Sequence, residues 1–250
     1  MEHVNTLQTE SPSAQRVHSN KAIRILGIVI MGFLTLVTIG VAYIWFSGGD
    51  GTPSTSISAP SLVLLPNDTR TLFTIVPDES QVRFMIDEIL LNVPKTVIGT
   101  TNEVAGELLV DFNSPANSQL GTIRVNVRTL QTDNEFRNRD LRGQILQSDR
   151  AEFEFAIFTP ITLLQLPKSI TFGEPFDFQI QGNLTLHGVT REIIFDATLT
   201  PISQTQITGS AWTTVNYQDF NITIPQVPGV ANVSDNVRLE IDFIALPKEE

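Results

Sequence analysis

The chain has 250 residues and a mass of 27.6 kDa, and 41% of its residues are hydrophobic whereas 17% are charged. The formal net charge of −11 argues against a general nucleic-acid binder, because such proteins need a basic surface to displace counterions from phosphates. Cysteine is absent, which excludes disulfides, iron–sulfur clusters and a cysteine nucleophile. Histidine occurs only at positions 3, 18 and 187, so few side chains are available as metal ligands or as the base of a catalytic triad.

An apolar stretch lies near the N-terminus. No charged residue occurs between Arg24 and Asp50, and residues 25–46 are hydrophobic except for three glycines and two threonines. As a helix this stretch is roughly 33 Å long, which is sufficient for a bilayer core of about 30 Å. It predicts a transmembrane signal anchor over residues 25–46. A cleaved signal peptide is the alternative, but its apolar region is usually about 7–15 residues long and ends in a small-residue cleavage site.

The charges that flank this stretch predict its orientation. Arg16, Lys21 and Arg24 precede it, whereas the first basic residue after it is Arg70. Because basic flanks remain on the cytoplasmic side, residues 1–24 are predicted to form a cytoplasmic tail and the C-terminal part to be extracytoplasmic.

Residues 47–70 are rich in Gly, Ser, Thr and Pro and predict a flexible linker. Such a linker would hold the domain formed by residues 71–250 close to the outer face of the membrane. After the apolar stretch there are 25 acidic and 13 basic residues. We therefore expect no electrostatic attraction of this domain to an anionic bilayer.

From about residue 72 onward, apolar and polar residues alternate with a period of two. The clearest runs are residues 81–87, 122–128, 152–157, 183–187, 193–199 and 238–243. Alternation of this kind is typical of antiparallel strands with one apolar and one polar face, so the predicted fold class is mostly β, a barrel or a sandwich. The pattern does not distinguish a core filled by side chains from one that holds a ligand.

One short helix is predicted over residues 134–146, with Asp133 as its capping residue. Phe136, Leu141 and Ile145 would form a narrow apolar face. The segment is otherwise highly charged, so we expect it to lie over a sheet edge or a barrel mouth.

Two longer segments resemble a known family. They are residues 130–146, followed by Glu-Phe-Glu-Phe at 152–155, and the run Gly-Asn-Leu-Thr-Leu-His-Gly-Val-Thr-Arg at 182–191. Residues 73–80, followed by Val82 and Phe84, are similar to the first strands of the same family. Together these segments resemble the YceI-like family of exported lipid-binding proteins over about residues 72–246.

This resemblance implies an extended, lipocalin-like antiparallel barrel with one short helix. Its interior would hold a long isoprenoid chain, such as a polyprenyl or quinone-type lipid, outside the cytoplasm, and no other cofactor or metal is expected. Alternation predicts which side chains point inward, and the resemblance implies that these bind the lipid; they are Val82, Phe84, Val125, Val127, Phe153, Phe155, Leu184, Leu186, Ile193, Phe195, Leu239, Ile241 and Phe243. Some of them would pack the ends of the barrel instead.

The sequence differs from the common family arrangement in two places. An anchor stands where a cleaved signal peptide is usual, and residues 87–101, which include Asn-Val-Pro-Lys at 92–95, are longer and more apolar than we expect between the first strands.

Three groups of polar residues have both a functional and a structural interpretation. His187 could be a base, but a structural histidine at a glycine-containing bend is favoured. Glu152 and Glu154 could be a carboxylate pair, but alternation places them on a solvated strand face. The residues Arg137, Arg139, Asp140 and Arg142 could contact a lipid headgroup, although ion pairing on a helix surface is favoured.

We therefore expect a membrane-anchored carrier or binding protein for an apolar lipid, with the membrane as its other partner, no nucleic acid, and no catalytic activity. The sequence contains no GxSxG, HExxH or phosphate-loop motif. The alternative is a filled barrel that binds protein partners on its outer surface as a stress or adhesion module.

Overall fold

The computed structural model describes residues 14–47, 49–66 and 68–248 and divides the chain after Phe46 into two compact units. The first unit contains helix α1 (Ala14–Ser47). Within α1, Ile23–Tyr43 is a stretch of 21 residues with a mean hydropathy of 2.5, long and apolar enough to cross a membrane. Thr35 and Thr38 donate their hydroxyls to carbonyls one turn earlier, at 2.8 Å, so these polar groups are satisfied within the helix. Residues 1–13 of the predicted tail lie outside the described residues.

The second unit is an antiparallel sheet of thirteen strands in the described residues. The strands are β1 (Thr71–Ile75), β2 (Gln81–Leu90), β3 (Val93–Thr101), β4 (Val104–Ala105), β5 (Glu107–Val110), β6 (Gln119–Leu120), β7 (Ile123–Asn126), β8 (Phe155–Leu164), β9 (Phe176–Leu186), β10 (Val189–Ser203), β11 (Gln206–Asn216), β12 (Val230–Ala231) and β13 (Asn236–Pro247).

Among the described strands, the pairings follow one curved path that begins at β4 and ends at β6, and the short strands β4 and β6 form its two edges. Each strand from β7 to β11 pairs with the next, and β11 pairs with β13. β13 then pairs with both β1 and β2. β1 also pairs with β5, and β2 also pairs with β3. β3, β4 and β5 follow one another along the chain, and β4 pairs with β7. The sheet is therefore a curled antiparallel half-barrel, which confirms the mostly β fold class predicted from alternation and the barrel-like architecture implied by the family resemblance.

The two ends of the barrel differ. At one end, which we call the packed end, inward side chains such as Phe73, Leu199, Ile207 and Ala245 are fully buried. The other end carries the β2–β3 turn and the short helix α2 (Glu135–Asp140), and we call it the α2 end. Below α2, a second apolar cluster contains Val127, Leu130 and Leu141.

The predicted helix over residues 134–146 is two elements in the structure. α2 ends at Asp140 and continues as a π-helical turn, Leu141–Ile145. Asn134, and not Asp133, is its N-cap, because the Asn134 side chain accepts a hydrogen bond from the Arg137 backbone N–H at 3.1 Å. Asp133 pairs instead with Lys95 of β3, at 2.6 Å.

The segment predicted to be a flexible linker contacts the barrel along its length. The Gly49 carbonyl accepts a hydrogen bond from Arg139 at 3.2 Å, Ser54 binds Glu154, and the Leu62 N–H donates to Glu107 at 2.6 Å. Its small polar residues bury little apolar surface, but backbone and hydroxyl groups of this segment donate hydrogen bonds to the buried carboxylates of Glu154 and Glu107. We refer to residues 49–62 as the docked segment.

Candidate functional site

The strand register brings most of the predicted inward residues together inside the barrel. Val82 of β2 lies opposite Ile241 of β13, and Phe84 lies opposite Leu239. The apolar clusters of the interior contain eleven of the thirteen predicted residues, namely Val82, Phe84, Val125, Val127, Leu184, Leu186, Ile193, Phe195, Leu239, Ile241 and Phe243. Val127 lies in a 3₁₀ turn (Val127–Thr129) that follows β7, and not in the strand itself.

Phe153 and Phe155 do not belong to this set. Ala151–Phe153 is a 3₁₀ turn, and β8 begins only at Phe155. The strand therefore points Ala156 and Phe158 inward, which is the opposite phase to the one predicted. The Phe155 ring lies under the Arg124 guanidinium at 3.6 Å, and the Phe153 ring packs on His187 at 4.5 Å.

Three inward phenylalanine rings lie over glycines of the neighbouring strands. A Cβ at Gly99 would be 2.1 Å from the Phe84 ring, one at Gly182 would be 2.5 Å from the Phe158 ring, and one at Gly209 would be 2.6 Å from the Phe243 ring. Only glycine leaves room for these contacts. The rings therefore lie along the barrel wall and do not project straight across it.

Part of the interior wall remains accessible. The inward residues of β2 and β13, such as Phe84, Leu239 and Ile241, are only half-buried, although their partners across the sheet place them inside the barrel. Ile193 and Phe195 of β10 are half-buried as well. These apolar side chains therefore retain surface that the protein's own atoms do not cover. They form what we call the accessible wall.

The predicted list of inward residues omitted two members of this wall, Ile86 and Val237, although the alternation places Ile86 on the same face as Val82 and Phe84. Both are half-buried and lie in the same strand phase as Phe84 and Leu239. The period of two in β2 and β13 was the signal that could have identified them. It also missed Phe158, since its phase is set by the turn before β8.

The α2 end holds a network of charged side chains. Arg137 lies 3.0 Å from the buried Glu88 of β2 and 2.6 Å from Asp133, which also binds Lys95. The Lys95 ammonium, together with Arg137, holds the pKa of Asp133 below its usual value, while burial raises the pKa of Asp140. Ion pairing, as favoured above, accounts for the contacts of Arg137, and it fixes α2 over the ends of β2 and β3.

Glu154 is not on a solvated face, so that prediction was wrong, although Glu152 is exposed as expected. Glu154 retains 1% of its accessible surface and accepts hydrogen bonds from Asn126 at 2.9 Å and from the Ser54 N–H at 2.8 Å. Burial works to raise its pKa, but the bonds from Ser54 and Asn126 and the charge of Arg128 outweigh burial, so the pKa lies below its usual value. It is a structural carboxylate.

His187 occupies the turn between β9 and β10, with φ of +50°. Its Nδ1 lies 3.3 Å from the Phe220 carbonyl, which agrees with the structural role favoured from the sequence. Within the described residues, no group of His, Asp and Glu side chains is arranged to hold a metal ion.

Comparison with known protein families matches residues 73–245 to the YceI-like domain. The chain belongs to the YceI-like family. The match covers the barrel from β1 to β13, including the accessible wall and α2. A search of curated proteins found no match to this YceI-like sequence.

Two solved structures share the fold of this YceI-like barrel. One is the crystal structure of BcnA from Burkholderia cenocepacia, which is 15% identical with a TM-score of 0.53 over 68% of this chain and 98% of that one. The other is a polyisoprenoid-binding domain from Saccharophagus degradans implicated in plant cell wall breakdown, which is 14% identical with a TM-score of 0.51 over 70% of this chain and 98% of that one.

Proposed function

We propose that this protein binds or carries a long apolar lipid of the isoprenoid type, such as a polyprenyl or quinone-type lipid, inside its barrel. The observation that carries the proposal is the accessible wall, an apolar interior surface that neighbouring side chains leave uncovered. Membership of the YceI-like family and the fold shared with a polyisoprenoid-binding domain support it. The protein acts by sequestering its ligand, without a covalent step.

The chemistry of the wall suits a hydrocarbon chain. Each methylene removed from water contributes roughly 0.8 kcal/mol, so a long isoprenoid needs few polar contacts to bind tightly. The half-buried wall residues Phe84, Ile193, Phe195, Leu239 and Ile241 offer apolar surface only. Selectivity would then come from the length and width of the space and from polar groups at the α2 end.

We further propose that the protein is a single-pass membrane protein with its barrel outside the cytoplasm. The apolar stretch Ile23–Tyr43 supports the anchor, and the basic residues that precede it support the orientation. An anchored carrier would load from, or deliver to, the membrane in which α1 resides.

A matched pair of substitutions tests the binding site. Phe84→Gln places an amide on the accessible wall, whereas Phe155→Gln makes the same change on the outer face of β8. We expect the full-length Phe84→Gln protein in detergent to bind a fluorescent long-chain polyprenol about tenfold more weakly, since burying an apolar side chain contributes roughly 1.5–3 kcal/mol. Phe155→Gln should bind as the unmodified protein does.

The two variants also separate the binding proposal from its alternative. Circular dichroism establishes that both retain the β-sheet signal. Equal binding by the two variants would remove Phe84 from the site. Failure of the unmodified protein to bind any long-chain isoprenoid would favour the filled barrel with a protein-binding outer surface.

A further inference from the structure

The β2–β3 turn exposes leucine where a turn in water favours polar residues or glycine. Leu91 and Asn92 are the two central residues, and both have positive φ, of 49° and 66°. Leu91 retains 75% of its accessible surface and Val93 retains 62%. The stretch of residues 87–101 that stood out in the sequence as unusually apolar therefore contains the tip of a hairpin at the α2 end and the whole of β3.

Folding of the chain does not explain Leu91. A two-residue hairpin turn with positive φ at both positions favours Asn or Gly, because a branched side chain in the left-handed region meets the following carbonyl. Exposure of the neighbouring Leu91 and Val93 side chains to water is a second disadvantage, because each leaves apolar surface in contact with solvent. A residue that is unfavourable both in conformation and in solvation points to a role outside the free, soluble barrel.

A second exposed segment extends the same surface. The Leu91 N–H donates to the Gly229 carbonyl at 2.8 Å, and Leu90 pairs with Val230 of β12. Val227, at the turn that precedes β12, is 47% exposed. Leu91, Val93 and Val227 thus form one apolar surface, which we call the hairpin patch.

The hairpin patch is fixed relative to α2. Two ion pairs, Lys95 with Asp133 at 2.6 Å and Arg137 with Glu88 at 3.0 Å, tie the helix region to β3 and β2 just below the hairpin tip. Phe136 of α2 is itself 51% exposed. The patch and the α2 end therefore form one rigid rim of the barrel.

The path of the chain indicates what covers this rim. The Gly49 carbonyl is bound by Arg139 and Arg142 of the α2 end, at 3.2 and 3.3 Å. The apolar stretch ends at Tyr43, so only residues 44–48 connect it to Gly49. At about 3.3–3.6 Å per residue, these residues reach no more than roughly 20 Å. Any bilayer crossed by this stretch must therefore lie within that reach of the point where Gly49 docks.

We infer that the hairpin patch inserts into the outer leaflet of the membrane that holds the anchor. This inference rests on the proposed anchoring and goes beyond it, because it assigns a second, peripheral membrane contact to Leu91, Val93 and Val227. The acidic excess after the apolar stretch argues against electrostatic recruitment, so the contact that we infer is with the acyl region of the bilayer. A lipid could then move between bilayer and barrel with little exposure to water.

Site-specific fluorescence tests this contact directly, because the chain has no native cysteine. The full-length protein carrying Leu91→Cys is labelled with NBD and reconstituted into phosphatidylcholine vesicles with and without 5-doxyl phosphatidylcholine. The matched control carries Ile202→Cys, an exposed apolar residue of β10 near the packed end. We expect blue-shifted emission and strong doxyl quenching at position 91, and solvent-like emission at position 202.

Each outcome of this experiment decides the inference. Flotation with the vesicles confirms that the anchor is inserted, so solvent-like emission at position 91 in protein that floats would overturn the patch while leaving the anchor intact. Shielding at position 91 that rises with protein density and is insensitive to doxyl lipid would assign the patch to a second copy of the chain and also overturn the inference.

A second variant, Leu91→Asn, replaces the leucine by a residue that suits the turn. It should retain the melting temperature but reduce the rate at which a polyprenol is taken up from vesicles to half or less.

Discussion

At Glu154 a carboxylate is held in an almost inaccessible position by Ser54, Asn126 and Arg128. The Arg128 guanidinium lies 3.2 Å away, and the Ser54 hydroxyl donates at 2.5 Å. Removal of one partner from such a buried charge network leaves the others unsatisfied, which generally costs about 1–3 kcal/mol. Glu154 therefore secures the docked segment to the barrel.

This arrangement makes stability depend on pH. The folded pKa of Glu154 is lowered, so its contribution is present above the unfolded pKa of about 4.3 and is lost as pH falls through the folded value. We expect Glu154→Gln to lower the free energy of unfolding by about 2 kcal/mol at pH 7 and to flatten the loss of stability below about pH 4. Urea unfolding of the full-length protein in detergent at several pH values measures both effects.

The control for this prediction is Glu152→Gln, the same change at the exposed neighbour. It should leave both the stability and its pH profile unchanged within about 0.5 kcal/mol. Equal effects of the two variants would contradict the structural role assigned to Glu154.

Residues 152–155 also show what a two-residue period cannot predict. The alternation Glu-Phe-Glu-Phe is real, but Ala151–Phe153 forms a 3₁₀ turn that ends the pattern before β8 begins. A shift of one residue exchanges the two faces of a strand, so Phe155 lies outside and Phe158 inside. In β2, β9, β10 and β13 no such turn interrupts the strand, and the predicted inward residues lie in the interior clusters.

At the level of elements, α2 and the π-helical turn that follows it cover the second apolar cluster. The sequence predicted a helix here from the candidate capping residue Asp133 and the apolar residues Phe136, Leu141 and Ile145. The change to π-helical hydrogen bonding at Leu141 left no signal of comparable strength. The ion pairs from Arg137 and Asp133 connect residues distant in sequence, which no local pattern encodes.

We expect Arg137→Met to loosen α2, because it retains the alkyl stem but removes the cation from the buried Glu88. Hydrogen exchange of residues 131–147 should accelerate, and a bound polyprenol should dissociate at least about threefold faster. The loss of stability should be about 1–3 kcal/mol. Hydrogen–deuterium exchange and stopped-flow release of a fluorescent polyprenol measure these changes.

Arg191→Met is the control for this prediction, since Arg191 is an exposed residue of β10 whose guanidinium contacts the adjacent Thr190 carbonyl at 3.1 Å. It should change neither rate. Unchanged exchange of residues 131–147 in Arg137→Met would show that the ion pairs do not hold α2 in place.

For the whole molecule, composition and alternation were sufficient to predict an apolar N-terminal stretch followed by an antiparallel barrel or sandwich, and the family resemblance favoured the barrel. They did not predict the docked segment, because small polar residues such as Ser54 carry no pattern and their partners lie far along the chain. Nor did they predict an accessible wall, since the alternating sequence around an inward-facing Phe84 is the same in a barrel filled by side chains and in one that leaves part of its wall uncovered. The burial of individual side chains supplies that distinction.

The content of the barrel tests the central claim most directly. The full-length protein is purified from its own membrane in mild detergent and extracted with organic solvent, and the extract is analysed by mass spectrometry beside that of Phe84→Gln. The account predicts a long-chain isoprenoid-type lipid, enriched over bulk phospholipid and depleted in the variant. An extract with only bulk membrane lipid, identical for both proteins, would contradict it.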